Sequence, residues 1–571
     1  MRWRTLGAAT ALALGVGAFT GHAQTKISGE ELAMFPASIA MGTRSQRVAS
    51  VATRSGKVPP RVDWAISNPG VASIAPHGSS VDIKALSPGR ALVTARLNGR
   101  SATASITVAD EADLRLGTTR WSVPPIAGLV PRPLLDAFRV DDDGAELFAI
   151  DADPMKRFAV VRALTSSGTL VWQRTVRGTP WAGDRFGGLL VRLGALDQPS
   201  RGLARIDRLR GKAAAWRYRA RGDLEDFAEA DDGTIFLVEQ TRPRLAGSQS
   251  GGTQVVALDG RTGLDVGHYA LPVSTWQTSG TCVPKAALVR HPSQVGSLGE
   301  GADGAVYAQL LLVHDSWTRV CEKGRPVLGR GRFRASRELQ LVRLTRKGFT
   351  PVRTLWRADT EGVDSADRLR AIEDVDPGPI VELKSGELVA MRTHVTVDAG
   401  GRVSGRLHIA RIARGEVVRE VVRAENLGST SKGWRVLVDA PDSPWAYVAD
   451  GVSLQAIDLG AGTTVWSLDT AALPFQALDG RAVVANDAAR NQVMEINQRG
   501  MVLRTFPARI DDARIAAPGQ AVIHGIDPQT RSVVEVQEPG YVDSAWSSMV
   551  DIDTSFPEAR RRFADFLVET R

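Results

Sequence analysis

The sequence predicts an all-β chain, mostly a β-propeller, on three observations. A turn before a short apolar run recurs at Asp143-Gly144, Asp232-Gly233, Asp303-Gly304 and Asp479-Gly480. A Gly-led strand ending in an aromatic recurs at Gly168 to Trp172, Gly211 to Trp216, Gly348 to Trp356 and Gly462 to Trp466. Between these pairs sits an internal strand, as in Val255 to Asp259 and Leu454 to Asp458. Short strands and tight turns repeating every few tens of residues mark a ring of blades. Eight segments carry the pattern, centred on 143–176, 187–220, 231–271, 302–358, 384–424, 445–473, 478–507 and 518–548. Eight blades is the reading and seven the alternative. Trp172, Trp216, Trp356 and Trp466 read as packing in the wedge between blades.

Ahead of the repeats the elements follow in order. Arg2 and Arg4, the apolar run Leu6 to Phe19 and Gly21-His22-Ala23 form a secretory signal pattern, residues 1–23, cut after Ala23. Losing Arg2 and Arg4 lowers the formal charge from +8 to +6. No later apolar run has membrane-spanning length, so the mature chain is expected in the periplasm or outside the cell, without an integral span and as a monomer. Basic residues are mostly arginine, interspersed with acids and without a Lys/Arg block, so no nucleic-acid partner is predicted.

Residues 24–110 read as a small β-sandwich. Asn68-Pro69-Gly70 and Ser87-Pro88-Gly89 supply turns, and Asn98-Gly99 joins Ala91 to Leu97 with Ala102 to Val108 as a hairpin. This run, with Trp64, Val71-Ala72 and Ser105-Ile106-Thr107-Val108, resembles a bacterial immunoglobulin-like domain of group 2. The resemblance implies a spacer or adhesive module. Pro124, Pro125, Pro131 and Pro133 mark residues 111–135 as a stiff linker. Residues 136–550 are the expected propeller. Within it, Val256-Ala257-Leu258-Asp259 with Thr262-Gly263, and Gln455-Ala456-Ile457-Asp458 with Gly462 to Trp466, resemble pyrroloquinoline-quinone-like (quinoprotein alcohol dehydrogenase-like) propeller repeats. Ser555-Phe556-Pro557-Glu558 is a capping box, so 551–571 is expected as a C-terminal helix, docked on the ring or offered to a partner.

Chemistry is sparse. The only cysteines, Cys282 and Cys321, are expected as a disulfide in an oxidising compartment, with two buried thiols as the alternative. The bridge would close a loop of about 40 residues and add a few kcal/mol. It would tether two excursions, Ser274 to Glu300 and Trp317 to Arg337, on one face. Trp276, Trp317 and Arg319 are the candidate recognition residues, on loop tips where binding tends to reside. Trp181 is a further loop-tip aromatic that could stack on sugar rings.

No catalytic, cofactor-binding or metal-ligating residue is assigned. Asp141-Asp142-Asp143-Gly144 with Asp151 and Asp153 is acid-rich but lacks the EF-hand spacing. His314 and His394 lie in strand-like runs, and no histidine pair has zinc-ligand spacing. The function expected is a non-enzymatic binding or scaffold protein of the cell envelope, recognising a protein or glycan. The alternatives are a quinone-dependent oxidoreductase, which the repeat resemblance implies with PQQ and Ca²⁺, and an outer-membrane assembly scaffold.

Overall fold

The computed structural model describes residues 31–551 apart from several stretches, the longest being 137–146, 195–201, 207–213, 242–251, 281–292, 327–331, 364–373, 398–402, 426–434, 440–444, 516–521 and 538–546. The signal pattern and the expected C-terminal helix lie outside the described residues. Every regular element described is a strand.

The N-terminal strands form two layers. One sheet runs Leu32–Phe35, Gln46–Thr53, Ser80–Ala85, Ala72–His77; the other begins Asp63–Ile66, Gly89–Leu97, Arg100–Ala109, Ser38–Gly42. Val51, Val81, Ile83, Val93 and Ile106 fill the space between them. Alternation of buried and exposed residues along Arg100–Ala109 is what a sheet with one wet face requires. The Asn98-Gly99 turn forms with both residues at positive φ, 50° and 77°, and pairs Leu97 with Arg100.

Eight four-stranded antiparallel units follow. In chain order, unit 1 is Val130–Asp136, Leu147–Ala152, Ala159–Leu164, Leu170–Val176. Unit 2 is Thr179–Gly183, Leu189–Arg192, Gly202–Ile206, Ala214–Arg219, and unit 3 is Asp223–Glu229, Thr234–Thr241, Gly252–Asp259, Asp265–Ala270. Unit 4 has a split first strand, Gln294–Val295 and Gly299–Glu300, then Val306–Val313, Arg332–Thr345, Gly348–Val363. Unit 5 is Asp374–Glu382, Leu388–Val397, Val403–Ala413, Glu416–Glu425, and unit 6 is Arg435–Asp439, Trp445–Ala449, Ser453–Asp458, Thr463–Asp469. Unit 7 is Leu473–Leu478, Ala482–Asp487, Gln492–Ile496, Val502–Pro507.

Unit 8 takes three strands from late in the chain, Asp511–Ile515, Val522–Ile526, Val533–Gln537, and its outer strand, Thr119–Val123, from before unit 1. This corrects the linker expectation for 111–135, because two strands, Thr119–Val123 and Val130–Asp136, lie in that stretch. Pro131 and Pro133 are compatible with a strand because Val130–Asp136 is an edge, where alternate N–H groups face away from the ladder.

Thr119–Val123 also meets Ser38–Gly42 through Ser38↔Ser122 and Ile39↔Trp121, so the second sandwich sheet and unit 8 are one continuous eight-stranded sheet. Trp121 is 1% exposed. Its core cluster joins Phe35 and Ala52 of the sandwich, Leu147, Ala149 and Leu164 of unit 1, and Val533 of unit 8. Its Nε1–H donates to the Ser166 carbonyl at 2.9 Å, and its ring covers Gly168, where a Cβ would come within 2.7 Å of it.

The same docking recurs around the ring. Trp216, on the outer strand of unit 2, donates to the Gly260 carbonyl at 2.8 Å and covers Gly263 in unit 3. Trp466 of unit 6 lies against Gly500 in unit 7, where a Cβ would approach it to 2.8 Å. Each glycine has positive φ, so both backbone and space exclude a side chain.

A buried ion pair clasps the seam on the inner side. Arg162 donates to Asp151 Oδ2 at 2.5 Å and to the Pro124 carbonyl, one residue past the closing strand, at 2.7 Å. Burial pushes the Asp151 carboxyl up and the Arg162 guanidinium down, each against the attraction of its partner. Breaking such a pair strands a buried charge. Arg162→Met is therefore expected to cost about 3–5 kcal/mol in urea unfolding, and Asp151→Leu with Arg162→Met to recover most of that loss.

Candidate functional site

Strand connectivity makes the two faces of the ring unequal. Turns from first to second and from third to fourth strand share one face; the other connections share the opposite face. Among the described residues, ten turns on the first face close on a glycine at positive φ, Gly168, Gly187, Gly233, Gly263, Gly304, Gly348, Gly386, Gly415, Gly462 and Gly500, against Gly128, Gly178, Gly194 and Gly451 on the opposite face. The opposite face carries the excursions between Thr241 and Gly252, Ala270 and Gln294, and Val313 and Arg332.

Two of these excursions build a ribbon on unit 4. Arg332–Thr345 and Gly348–Val363 span 14 and 16 residues, against 6 and 7 for the matching strands of unit 1. Ser316–Glu322 pairs antiparallel with the start of the first, placing Trp317 opposite Phe333. Thr275–Gly280 then pairs in parallel with Ser316–Glu322, placing Trp276 opposite Trp317 and Thr278 opposite Arg319. The three predicted recognition residues thus share one two-stranded ladder. They sit on strands and not on loop tips, because the excursions pair with each other. Cys321 lies opposite Gly280, while Cys282 lies outside the described residues. Gln294–Val295 and Gly299–Glu300, within the predicted excursion Ser274 to Glu300, belong to the inner strand of unit 4.

The inner strands of units 2 and 3 meet unit 4 in one wall. Trp181 is the bulged residue of the inner strand of unit 2, half-buried and edge-on to Phe227 of unit 3 at 4.6 Å between centroids. It is therefore a wall residue and not a loop tip. The Arg192 guanidinium lies 4.7 Å from the Trp181 ring centre and donates to the Leu224 carbonyl. Asp226, beside the bulged Glu225, accepts the Leu298 N–H of unit 4 at 2.8 Å and the Phe227 N–H at 2.8 Å. Burial nevertheless pushes its carboxyl up to about 6, with those hydrogen bonds and Arg192 pulling the other way. Between units 2 and 3, buried Glu239 accepts from Tyr218 at 2.7 Å and Gln254 at 2.8 Å; burial and this carboxylate push the Tyr218 phenol well up.

The remaining sequence candidates have structural partners. His394 is buried between units 4 and 5, stacked on His408 at 4.0 Å, edge-on to Trp356, and hydrogen-bonded by Arg392 at 3.2 Å. Glu420 receives His408 Nδ1 at 3.0 Å and Arg392; the His408 bond, with Arg392 beside it, holds Glu420 below the usual carboxylate range. His314 is exposed at a strand end. Asp151 is held by Arg162, Asp153 caps the Met155 N–H, and Asp141 to Asp143 lie outside the described residues. Among the described residues no three His, Cys, Asp or Glu side chains converge as a metal site, and no helix is long and apolar enough to cross a membrane.

No family model matches the chain, and no curated protein matches it. Solved structures give broad, faint likeness. Apo AztD from Citrobacter koseri shares 12% identity over 78% of this chain and 95% of its own, at a TM-score of 0.33. A quinonprotein alcohol dehydrogenase-like protein from Bacteroides thetaiotaomicron shares 9% over 88% and 96%, at 0.28. Hsv2p from Kluyveromyces lactis shares 10% over 66% and 99%, at 0.30.

The raised Asp226 carboxyl has a signed consequence. The folded chain holds this proton up to about pH 6, the unfolded chain only to its ordinary value of 3.8. The contribution is thus fully present below about pH 4 and lost as pH rises through about 6. Asp226→Asn keeps an acceptor for Leu298 and cannot ionise. It is expected to flatten the fall in stability between pH 4 and 6.5, read as urea midpoints; an unchanged slope refutes the assignment.

Proposed function

We propose that this chain is a secreted or periplasmic, non-enzymatic scaffold: an immunoglobulin-like module fused to an eight-bladed, quinoprotein-like propeller. It binds a protein or glycan of the cell envelope with the excursion face. The observation that carries this reading is the inequality of the two faces. Glycine turns are concentrated on one side, while the other carries a ladder whose strands include Trp276, Trp317 and Arg319. Aromatic and arginine residues dominate binding energy where they are presented together. A Cys282–Cys321 disulfide would hold the ladder's far end in register, lowering the ordering cost of binding.

The test is a crosslinked pull-down of the mature chain from its native envelope, with partners identified by mass spectrometry. Trp276→Ala, Trp317→Ala and Arg319→Ala combined are expected to lower capture of the dominant partner by about tenfold or more. The melting temperature is read alongside, and loss of capture at an unchanged melting temperature assigns the effect to binding. Undiminished capture by the triple variant contradicts the reading. Deletions in the excursion must stop short of Gln294, because removing residues to Glu300 takes the inner strand of unit 4 with it.

A further inference from the structure

The inner strands of the units are not alike. Those of units 1, 2, 3, 5, 7 and 8 each carry a register shift against the second strand, and that of unit 4 is split in two. A bulge twists a strand and interrupts its row of unpaired N–H and C=O groups, which spoils that edge as a template. The inner strand of unit 6, Arg435–Asp439, differs. It pairs with Trp445–Ala449 through five consecutive partners without a shift.

The side chains of Val436, Leu437 and Val438 are committed on both faces. Val436 and Val438 pack with Val381, Leu383 and Met391 of unit 5; Leu437 packs with Val483 and Ala485 of unit 7. All three are fully buried. What remains for recognition is the backbone edge, straight and regular. A fifth strand lies on it: Ser547–Asp551 pairs antiparallel, from Arg435↔Asp551 to Asp439↔Ser547. Asp551 sits opposite the first residue of the inner strand, so this added strand ends at the excursion face.

We propose that the inner edge of Arg435–Asp439 is a strand-acceptor site for an extended peptide segment of a protein partner, occupied at rest by the chain's own Ser547–Asp551. The inference deepens the scaffold reading and rests on it for the partner being a protein. An edge of alternating N–H and C=O groups is complementary to another main chain and gives affinity by strand addition. The resident strand competes from within the same molecule, so a partner sees the site weakened by the fraction of time it is covered. Covering the edge also keeps it from pairing with other chains, since an open regular edge invites aggregation.

The test uses the full chain and a fluorescent peptide, Ala545 to Asp553 of this sequence. Met549→Pro and Val550→Pro are made separately. Adjacent N–H groups point to opposite sides of a strand, so one variant loses a bond to Arg435–Asp439 and the other does not. One variant is expected to bind the peptide about tenfold or more tighter than the parent, with faster hydrogen exchange at Arg435–Asp439. N-methylation of the peptide amide at that same residue should abolish binding. A protease site placed between Gln537 and Ser547, cut after folding, gives a second route to an open edge and should also expose binding. Equal binding by the parent and both variants, or no binding after the cut with the melting curve unchanged, overturns the inference. Either failure leaves the excursion face to be judged by its own triple variant.

Discussion

Trp121 is the contact on which the rest of the molecule depends. One indole bridges the sandwich, the first unit and the last. Its strand is the outer strand of unit 8 and, through Ile39, a continuation of the sandwich sheet. Completing the last unit with a strand from before the first ties the two ends of the array together. Here the closing strand comes from the N-terminal side and carries the sandwich with it. The Trp121–Gly168 contact repeats at Trp216–Gly263 and Trp466–Gly500, so the seam is held by the packing device that joins other neighbours. The Arg162–Asp151 pair adds a second hold, since Arg162 grips the Pro124 carbonyl as the chain enters unit 1.

This frame decides where function can sit. Glycine turns are concentrated on one face, while the connections from Ala270 to Gln294 and from Val313 to Arg332 lie on the other. The ladder of unit 4 is on that second face, and in the wall of units 2 to 4 Arg192 and Asp226 are satisfied internally. Trp181 and Phe227 give that wall an aromatic lining. Polar groups in the wall bond to backbone across unit boundaries, as Asp226 does to Leu298 and Gln309 does to Gly378 at 2.9 Å. Such bonds fix the angle between neighbours.

Much of the fold was legible because its signals are local. Asp232-Gly233 and Asp303-Gly304 mark turns before second strands, and the tryptophans of outer strands mark fourth strands. Asn98-Gly99 marked its hairpin. What was not legible is long-range. Nothing in 111–135 says that its strand pairs with Val533–Gln537, although one signal was present. Gly117-Thr118-Thr119-Arg120-Trp121 repeats Gly462-Thr463-Thr464-Val465-Trp466, so the outer-strand pattern occurs before the ring begins. The prolines around it obscured that match. Trp276 and Trp317 were visible as residues but not as neighbours, because the parallel pairing of two excursions leaves no local trace. Trp181 read as a loop tip because a bulge breaks the alternation that reveals a strand.

The most direct test of this account is hydrogen exchange on the intact mature chain, followed in peptides covering 117–124 and 531–537. If Thr119–Val123 closes the ring, its amides and those of Val533–Gln537 are slow, open together, and both speed up in Trp121→Ala. Exchange of 117–124 at the rate of an unpaired linker, with 531–537 still protected, would contradict the closure and the architecture built on it.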